Sequence, residues 1–288
     1  MTGESKGAVV GKRFVLLAVA AVATTLSLSS CVRLAEQQAG DDYTVKEQLA
    51  SVRLANDGGN VTIRAVEGTA GTSIRRTLVF AKGATKPEGA THKVDGSVLV
   101  LQGCGNNCEA NYEVSVPSKA VTVTGELGSG DLEAHDLASV DVKVGSGDAR
   151  VFRAGGSVQI ENGSGDVEVA GAGGAVTGKV ASGNVKLSGI KGAVTIQNSS
   201  GDIRGEGLDG DVIADAKSGN VTLDLASAHS VRAESGSGDV TVTVPKGGYR
   251  LDVDAGNGDK KIDITNDPSA ANEIYARTGS GDLTIRAA

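Results

Sequence analysis

The chain has 288 residues and a formal net charge of −7, an acidic balance that argues against nucleic-acid binding, which depends on basic residues that neutralise phosphates. Apolar residues make up 39% of the chain but aromatic residues only 2%, which predicts a thin, aliphatic core. The 42 glycines recur between Val- and Ile-rich runs. This pattern predicts an all-β body with frequent turns and excludes a disordered low-complexity chain.

Residues 1–30 have the pattern of a secretory signal peptide. Lys6, Lys12 and Arg13 precede the apolar run 14–23, and small residues follow it. The run is shorter than the about 20 apolar residues of a membrane-spanning helix, although extension to Leu28 leaves a retained membrane anchor as an alternative. Removal of residues 1–30 would change the net charge from −7 to −9.

The segment Leu28-Ser29-Ser30-Cys31 resembles the bacterial lipobox. The resemblance implies that the Cys31 thiol receives a diacylglycerol and becomes the first mature residue. Two acyl chains anchor a protein stably in a bilayer where one does not. We therefore expect an extracytoplasmic lipoprotein bound to the cell membrane through Cys31, with residues 31–43 as a short tether. The alternative is an ordinary signal peptide with a cysteine near its cleavage site.

Residues 44–125 are predicted to form an N-terminal β-rich cap. Their strand-like runs are less regular than those that follow, and Gly58-Gly59-Asn60 looks like a degenerate copy of a triplet that recurs later. Pro117 fits the end of the run 112–116, since proline cannot donate a ladder hydrogen bond. Such a cap would protect the otherwise exposed sheet edge of the first repeat.

Two further cysteines, Cys104 and Cys108, stand close together in this cap. Outside the cytoplasm they are expected to form a disulfide that closes a Gly-Asn-Asn turn. A zinc site is the alternative, but it would need two more ligands. His92, His135 and His229 are not at ligand spacing from the cysteines or from each other, and we interpret them as solvated surface residues.

A Ser-Gly-Asp/Asn triplet recurs through residues 126–288 and predicts a solenoid. The spacings between successive triplet glycines are 17, 18, 18, 18, 18, 19, 20 and 23 residues. We interpret the longer last spacings as loop insertions before a terminal coil. The glycines are Gly130, Gly147, Gly165, Gly183, Gly201, Gly219, Gly238, Gly258 and Gly281.

Each period contains two short alternating runs, so that one coil holds two strands and two turns. Aligned coils place aliphatic residues such as Val167 and Val185 in one inward column, and a second column two residues later includes Val169, Leu187 and Ile262. Coils of this kind are stabilised by stacking on their neighbours. The prediction is a single-stranded right-handed β-solenoid, because crossovers between parallel strands are overwhelmingly right-handed.

The last residue of each triplet is Asp or Asn. Glycine accepts a positive φ, and Asp or Asn can hydrogen-bond nearby backbone amides in an Asx-turn, so turn chemistry explains the triplet. A column of carboxylates would concentrate negative charge, which backbone amides or cations must compensate. The residues are Asp131, Asp148, Asp166, Asn184, Asp202, Asn220, Asp239, Asp259 and Asp282.

The β-rich cap, the Val114-Ser115-Val116-Pro117 strand end and coils such as Ser200-Gly201-Asp202-Ile203 together resemble the bacterial putative-adhesin family of β-strand-repeat proteins. The resemblance spans residues 50–286. It implies a surface-exposed solenoid and brings no catalytic residues to transfer.

These features favour a non-enzymatic adhesin-like or structural module that binds an envelope polymer or protein. We assign no cofactor and no metal ligand. A calcium-binding β-roll is an alternative, although here the acid directly follows glycine and only one turn per coil carries it. A polysaccharide-cleaving β-helix enzyme is a further alternative, but the chain has no Trp, four Tyr and three Phe for stacking on sugars.

Overall fold

The computed structural model describes residues 36–288, which contain 25 β-strands and no helix. Their Val-, Ile- and Thr-rich composition explains the strands, because β-branched side chains pack well on a pleated surface. No helix that could span a membrane occurs in this range. In chain order the strands are β1 (Glu36–Val45), β2 (Ser51–Asn56), β3 (Val61–Ala65), β4 (Thr72–Ala81), β5 (His92–Asp95), β6 (Val98–Gln102), β7 (Cys108–Val116), β8 (Thr122–Ser129), β9 (Leu132–His135), β10 (Ser139–Ser146), β11 (Ala149–Ala154), β12 (Val158–Ser164), β13 (Val167–Ala172), β14 (Val176–Ser182), β15 (Val185–Ile190), β16 (Val194–Asn198), β17 (Ile203–Leu208), β18 (Val212–Ala216), β19 (Val221–Leu225), β20 (Val231–Ser235), β21 (Val240–Val244), β22 (Arg250–Asp254), β23 (Lys260–Ile262), β24 (Glu273–Thr278) and β25 (Leu283–Ala287).

The strands form two long sheets, sheet A with 13 strands and sheet B with 12. Each coil contributes one strand to each sheet, as β10 does to sheet B and β11 to sheet A. Equivalent strands of successive coils pair in parallel and in register, so that Val140 lies opposite Val158 and Ala149 opposite Val167. The predicted all-β solenoid with coils of about 18 residues is confirmed. Its right-handedness stays a prediction.

The core lies between the two sheets and is almost entirely aliphatic. Val151, Val169 and Leu187 of neighbouring coils are at most 1% exposed, as the inward columns predict. Each column member touches its own counterpart above and below, because neighbouring strands lie about 4.7–4.9 Å apart. Burial of these residues therefore depends on the stack and not on any single coil.

At the N-terminal end the stack does not follow chain order. The coil formed by β6 and β7 lies outside the coil formed by β2 and β3, which in turn pairs with β8 and β9. Strand β4 pairs antiparallel with β7, and β5 pairs antiparallel with β6. The region 44–125 therefore contains two coils of the solenoid as well as the antiparallel strands that cover them.

The predicted tether at residues 31–43 is wrong for its second half. Residues 36–43 belong to β1, which pairs antiparallel with β4 along its whole length. The alternating burial of this strand, with Val45 in the core, gives it an inner face that the polar composition concealed. The predicted signal peptide and Cys31 lie outside the described residues.

The C-terminal end also departs from chain order, which corrects the interpretation of the long spacings as simple insertions. The chain first forms the outermost coil with β22 and β23 and then returns to place β24 and β25 between that coil and β20 and β21. Ile262 is therefore 38% exposed although its column is buried elsewhere. The free edge of β22 is partly covered, since the Leu251 amide donates to Asn266 Oδ1 at 3.0 Å.

Candidate functional site: the triplet turns, a groove on sheet B and a polar cluster in the cap

The triplets form the turn from sheet B to sheet A, and their glycines are required there for two reasons. Gly183 has a φ of +133°, a conformation that side chains with a Cβ rarely adopt. A Cβ at this position would also lie 2.0 Å from the carbonyl oxygen of Gly165 in the preceding coil. The turn backbones therefore stack more closely than any side chain permits.

The Asp and Asn residues of the triplets form one continuous hydrogen-bonded column, which we call the Asx ladder. The Asp166 amide donates to Asp148 Oδ1 at 2.8 Å, and the Asn184 amide donates to Asp166 Oδ1 at 2.7 Å. In stack order the acceptors are Asn111, Asn60, Asp131, Asp148, Asp166, Asn184, Asp202, Asn220, Asp239 and Asp282, and the last receives the Asp259 amide.

The ladder corrects the Asx-turn interpretation. The amide that each side chain accepts belongs to the adjacent coil and not to the same turn, because in-register stacking brings the next coil closer than the rest of its own turn. Backbone amides thus compensate one oxygen of each ladder carboxylate except Asp259, which lies in the outermost coil, and Arg150 also binds Asp148. Among residues 36–288 no group of three or more His, Cys, Asp or Glu is arranged to hold a metal ion.

Beneath the turns, buried polar side chains bind the inward-facing glycine carbonyls. Asn198 is 2% exposed, and its Nδ2 donates to the carbonyl oxygens of Gly183 and Gly201 at 2.9 Å each. Asn162 binds Gly147 and Gly165 in the same way. One amide therefore serves two coils, which explains why Val144, Val180 and Ala216 can occupy the same column in the coils between.

A groove of about 390 Å³ runs along the outer surface of sheet B beside these turns. It crosses five successive coils at β10, β12, β14, β16 and β18. Small residues form the column nearest the turn in four of the five coils, which leaves room for the groove: Gly145, Gly163, Ala181 and Ser199. Lys217 occupies this column in the fifth coil. Exposed polar side chains form the adjacent column: Lys143, Glu161, Lys179, Gln197 and Asp215.

A column of serine hydroxyls follows the small residues. These serines are the first residues of the triplets, and all of them are exposed: Ser146, Ser164, Ser182, Ser200 and Ser218. Their hydroxyls make no hydrogen bond within the described part of the chain, unlike Ser129, whose Oγ donates to the Asp57 carbonyl at 3.2 Å. The groove is thus bordered by groups that can exchange hydrogen bonds with a ligand.

The cap contains a second polar site that the sequence analysis missed. Arg76 is 1% exposed and donates to Asp41 Oδ2 at 2.6 Å and to the carbonyl oxygen of Gly89 at 2.9 Å. Lys86 donates to the other oxygen of Asp41 at 2.9 Å. These residues and Tyr43 line a cavity of about 500 Å³. The sequence does contain a signal for this site: Arg76 stands between Ile74 and Leu78 at the spacing of two residues that places all three side chains on the inward face of the strand.

The pKa values of Asp41 and His92 in this cap cluster are both lower than usual. Hydrogen bonds from Arg76 and Lys86 lower the pKa of Asp41. Burial and the nearby Arg76 charge lower the pKa of His92, whose ring packs edge-on against Tyr43 with centroids 4.6 Å apart. The interpretation of His92 as a solvated surface residue is therefore wrong: β5 carries it into the packed edge of the cap.

A lowered His92 pKa predicts loss of stability at mildly acidic pH. The unfolded chain binds a proton near pH 6.5 whereas the folded chain does so only at lower pH, so stability decreases as pH falls below about 6.5. His92→Phe retains an aromatic contact with Tyr43. We expect its melting temperature to decrease less than that of wild type when the pH changes from neutral to mildly acidic. Equal losses in both proteins would contradict this assignment.

The other two histidines are also partly buried, contrary to the prediction. The His135 side chain is 19% exposed, stacks on Phe152 with centroids 4.9 Å apart and contacts Glu133. His229 lies between Asp209 and Asp211, with nitrogen–oxygen distances of 3.5 and 3.6 Å. Outward positions on closely stacked coils still bring large side chains into contact, which reduces their exposure.

The predicted cysteine pair is joined in the structure. Cys104 and Cys108 form a disulfide with a Cα–Cα distance of 5.6 Å, in the turn between β6 and β7. The bond closes a loop so short that its effect on chain entropy is small. It stabilises the turn of the outermost N-terminal coil.

No curated protein matches the sequence significantly. Similar solved structures include a putative cell adhesion protein from Clostridium sporogenes, with 15% identity, coverage of 88% of this chain and 100% of that chain, and a TM-score of 0.22. A putative adhesin from Parabacteroides merdae has 11% identity, coverage of 88% and 96%, and a TM-score of 0.36. One from Bacteroides fragilis has 12% identity, coverage of 88% and 99%, and a TM-score of 0.32.

A family model supplies the stronger match, because it extends over both the cap strands and every coil. The matched region begins within β1 at residue 42 and ends within β25 at residue 286. It therefore includes the Asx ladder, the groove and all of the cap cluster except Asp41. The chain belongs to the Toastrack DUF4097 family.

Proposed function

We propose that the protein is a membrane-anchored surface lipoprotein that acts as a non-enzymatic, adhesin-like binding module of the cell envelope. The observation that carries the proposal is the groove on sheet B, which extends across five coils and is bordered by repeating polar groups. A groove parallel to the stack axis suits an extended polymer, because each coil presents an exposed serine hydroxyl at the equivalent position to successive units of that polymer.

The coil stack gives this surface a well-defined geometry. In-register parallel pairing, the Asx ladder and the buried Asn residues hold adjacent coils together at three levels. Preorganised binding groups lower the entropy that is lost on association. A ligand therefore meets an array of groups that does not have to be ordered by binding.

Hydrolysis of a polysaccharide is disfavoured by the spacing of carboxylates in the groove. Glu161 and Asp215 are separated by three coil steps, or about 14 Å at the usual distance between strands. Glycoside hydrolases place their two carboxyl groups about 5–9.5 Å apart. Calcium-dependent binding along the triplets is also disfavoured, because the Asx ladder already uses one oxygen of every triplet carboxylate except Asp259.

Full-length wild type and Cys31→Ser, produced in a bacterium with lipoprotein processing, test the proposal. We expect wild type to fractionate with the membrane and to incorporate a labelled fatty acid, and the variant to do neither. Immobilised protein of both kinds should retain polymer or protein from solubilised cell envelopes. Retention of no envelope component would contradict the binding role, and equal labelling of the two proteins would contradict the lipid anchor.

A further inference from the structure

The lysines of the groove on sheet B recur in every second coil. Lys143 lies on β10 and Lys179 on β14, and Lys217 directly follows β18. Two coil steps correspond to about 9.5 Å along the stack. Lys143 and Lys179 therefore share one column of sheet B, whereas Lys217 lies in the neighbouring column of Gly145 and Gly163, so that the row of lysines follows the stack axis but shifts by two residues at its last member.

These lysines are available to a ligand. All three are exposed, and none has a carboxylate oxygen of another described residue within 4.0 Å. Some other outward side chains of the solenoid are paired, as Lys186 is with Glu168 and Arg153 with Asp136. The two acidic side chains of the groove, Glu161 and Asp215, leave its lining with one excess positive charge.

The excess positive charge of this lining contrasts with the whole chain, whose net charge is −7. A positively charged strip on an acidic surface attracts anions locally while the remaining surface repels them, so that it selects both the position and the direction of a charged polymer. The adjoining serine hydroxyls, which lack partners in the described residues, can donate hydrogen bonds to the same ligand.

We propose that the groove binds a linear anionic polymer whose negative groups recur about every 9–10 Å, such as a polysaccharide with one carboxylate per disaccharide. The inference rests on the proposed function and specifies the chemistry of its ligand. Lys143 and Lys179 pair with successive anionic groups from one column, Gly145, Gly163, Ala181 and Ser199 admit the polymer backbone beside them, and Lys217 meets the next anionic group from the end of that small-residue column.

Binding of hyaluronate, which has one carboxylate per disaccharide, tests this inference, with dextran as the uncharged comparison. We expect the full-length protein to bind hyaluronate, to bind it more weakly as ionic strength rises and to bind dextran poorly. The triple variant Lys143→Gln/Lys179→Gln/Lys217→Gln should bind hyaluronate about tenfold more weakly or worse. The single variant Lys179→Gln should bind hyaluronate about threefold more weakly, and it tests the inference even if the triple variant fails to fold.

The matched control is Lys82→Gln/Lys93→Gln/Lys246→Gln. It removes the same net charge from exposed lysines outside the groove, and its binding should stay within about twofold of wild type. Equal losses in the two triple variants, undiminished binding by the groove variant, or no binding by wild type would overturn the inference. Envelope retention by wild type would then still support the proposed function, whereas a lack of any envelope retention would refute that function itself.

Discussion

Gly183→Ala is expected to lower the free energy of unfolding by about 3 kcal/mol or more. A positive φ costs an alanine about 1–2 kcal/mol, and the new Cβ would lie 2.0 Å from the Gly165 carbonyl oxygen. That oxygen belongs to the backbone of the adjacent coil, so the clash is relieved only by separating two coils. The melting temperature, measured by circular dichroism, should therefore decrease by about 6–12 °C.

Gly189→Ala is the matched control for this prediction. Gly189 also has a positive φ, +62°, but a Cβ there would meet no atom within 4 Å. The substitution therefore isolates the cost of the backbone conformation, about 1 kcal/mol. Similar melting temperatures for the two variants would show that close contact between turns does not limit stability.

Asn198→Val is expected to lower the free energy of unfolding by about 2–4 kcal/mol. The variant resembles the Val144 and Val180 coils in side-chain volume, but it leaves the carbonyl oxygens of Gly183 and Gly201 without their donor. Each polar group that loses its partner on burial costs about 1–3 kcal/mol. The melting temperature should decrease by several degrees, since each kcal/mol shifts it by about 2–4 °C in domains of this size.

Ser235→Ala provides a comparison of smaller expected effect. Ser235 Oγ donates to one carbonyl only, that of Gly219 at 2.8 Å, so the loss should be about half that of Asn198→Val. If Asn198→Val were as stable as wild type, the buried amide would have no role in holding pairs of coils together. The alternation of Asn with Val in this column would then lack its structural explanation.

The two predictions concern the same turn from opposite sides. Glycine lets the turn backbones approach closely, and that approach turns carbonyls toward the interior, where a buried Asn or Ser must bind them. The Asx ladder joins the same turns on the outer side. Loss of any one of these contacts is therefore expected to affect neighbouring coils, as in other solenoids in which each repeat interacts with its neighbours.

Local pattern determined the repeat part of this protein. The spacing of the triplets, the alternation of Val with polar residues and the low aromatic content are sufficient for parallel coils of about 18 residues with an aliphatic core, because a fixed period forces equivalent residues into columns. The same pattern identified the triplet glycines and the Asp and Asn residues. It did not identify the partner of the Asx side chains, since that amide lies in another coil.

Only the tertiary structure decided the order of the coils and the sites that depend on it. The strands β6 and β7 lie outside β2 and β3, and β22 and β23 lie outside β24 and β25. These positions depend on which strand edges pair with each other, and no local sequence period encodes that pairing. The cap cluster joins Asp41, Arg76 and Lys86 from separate segments for the same reason. The groove likewise depends on in-register stacking, which places residues about 18 positions apart in one column. A column of mostly small residues thereby comes to lie beside a column of polar and charged ones.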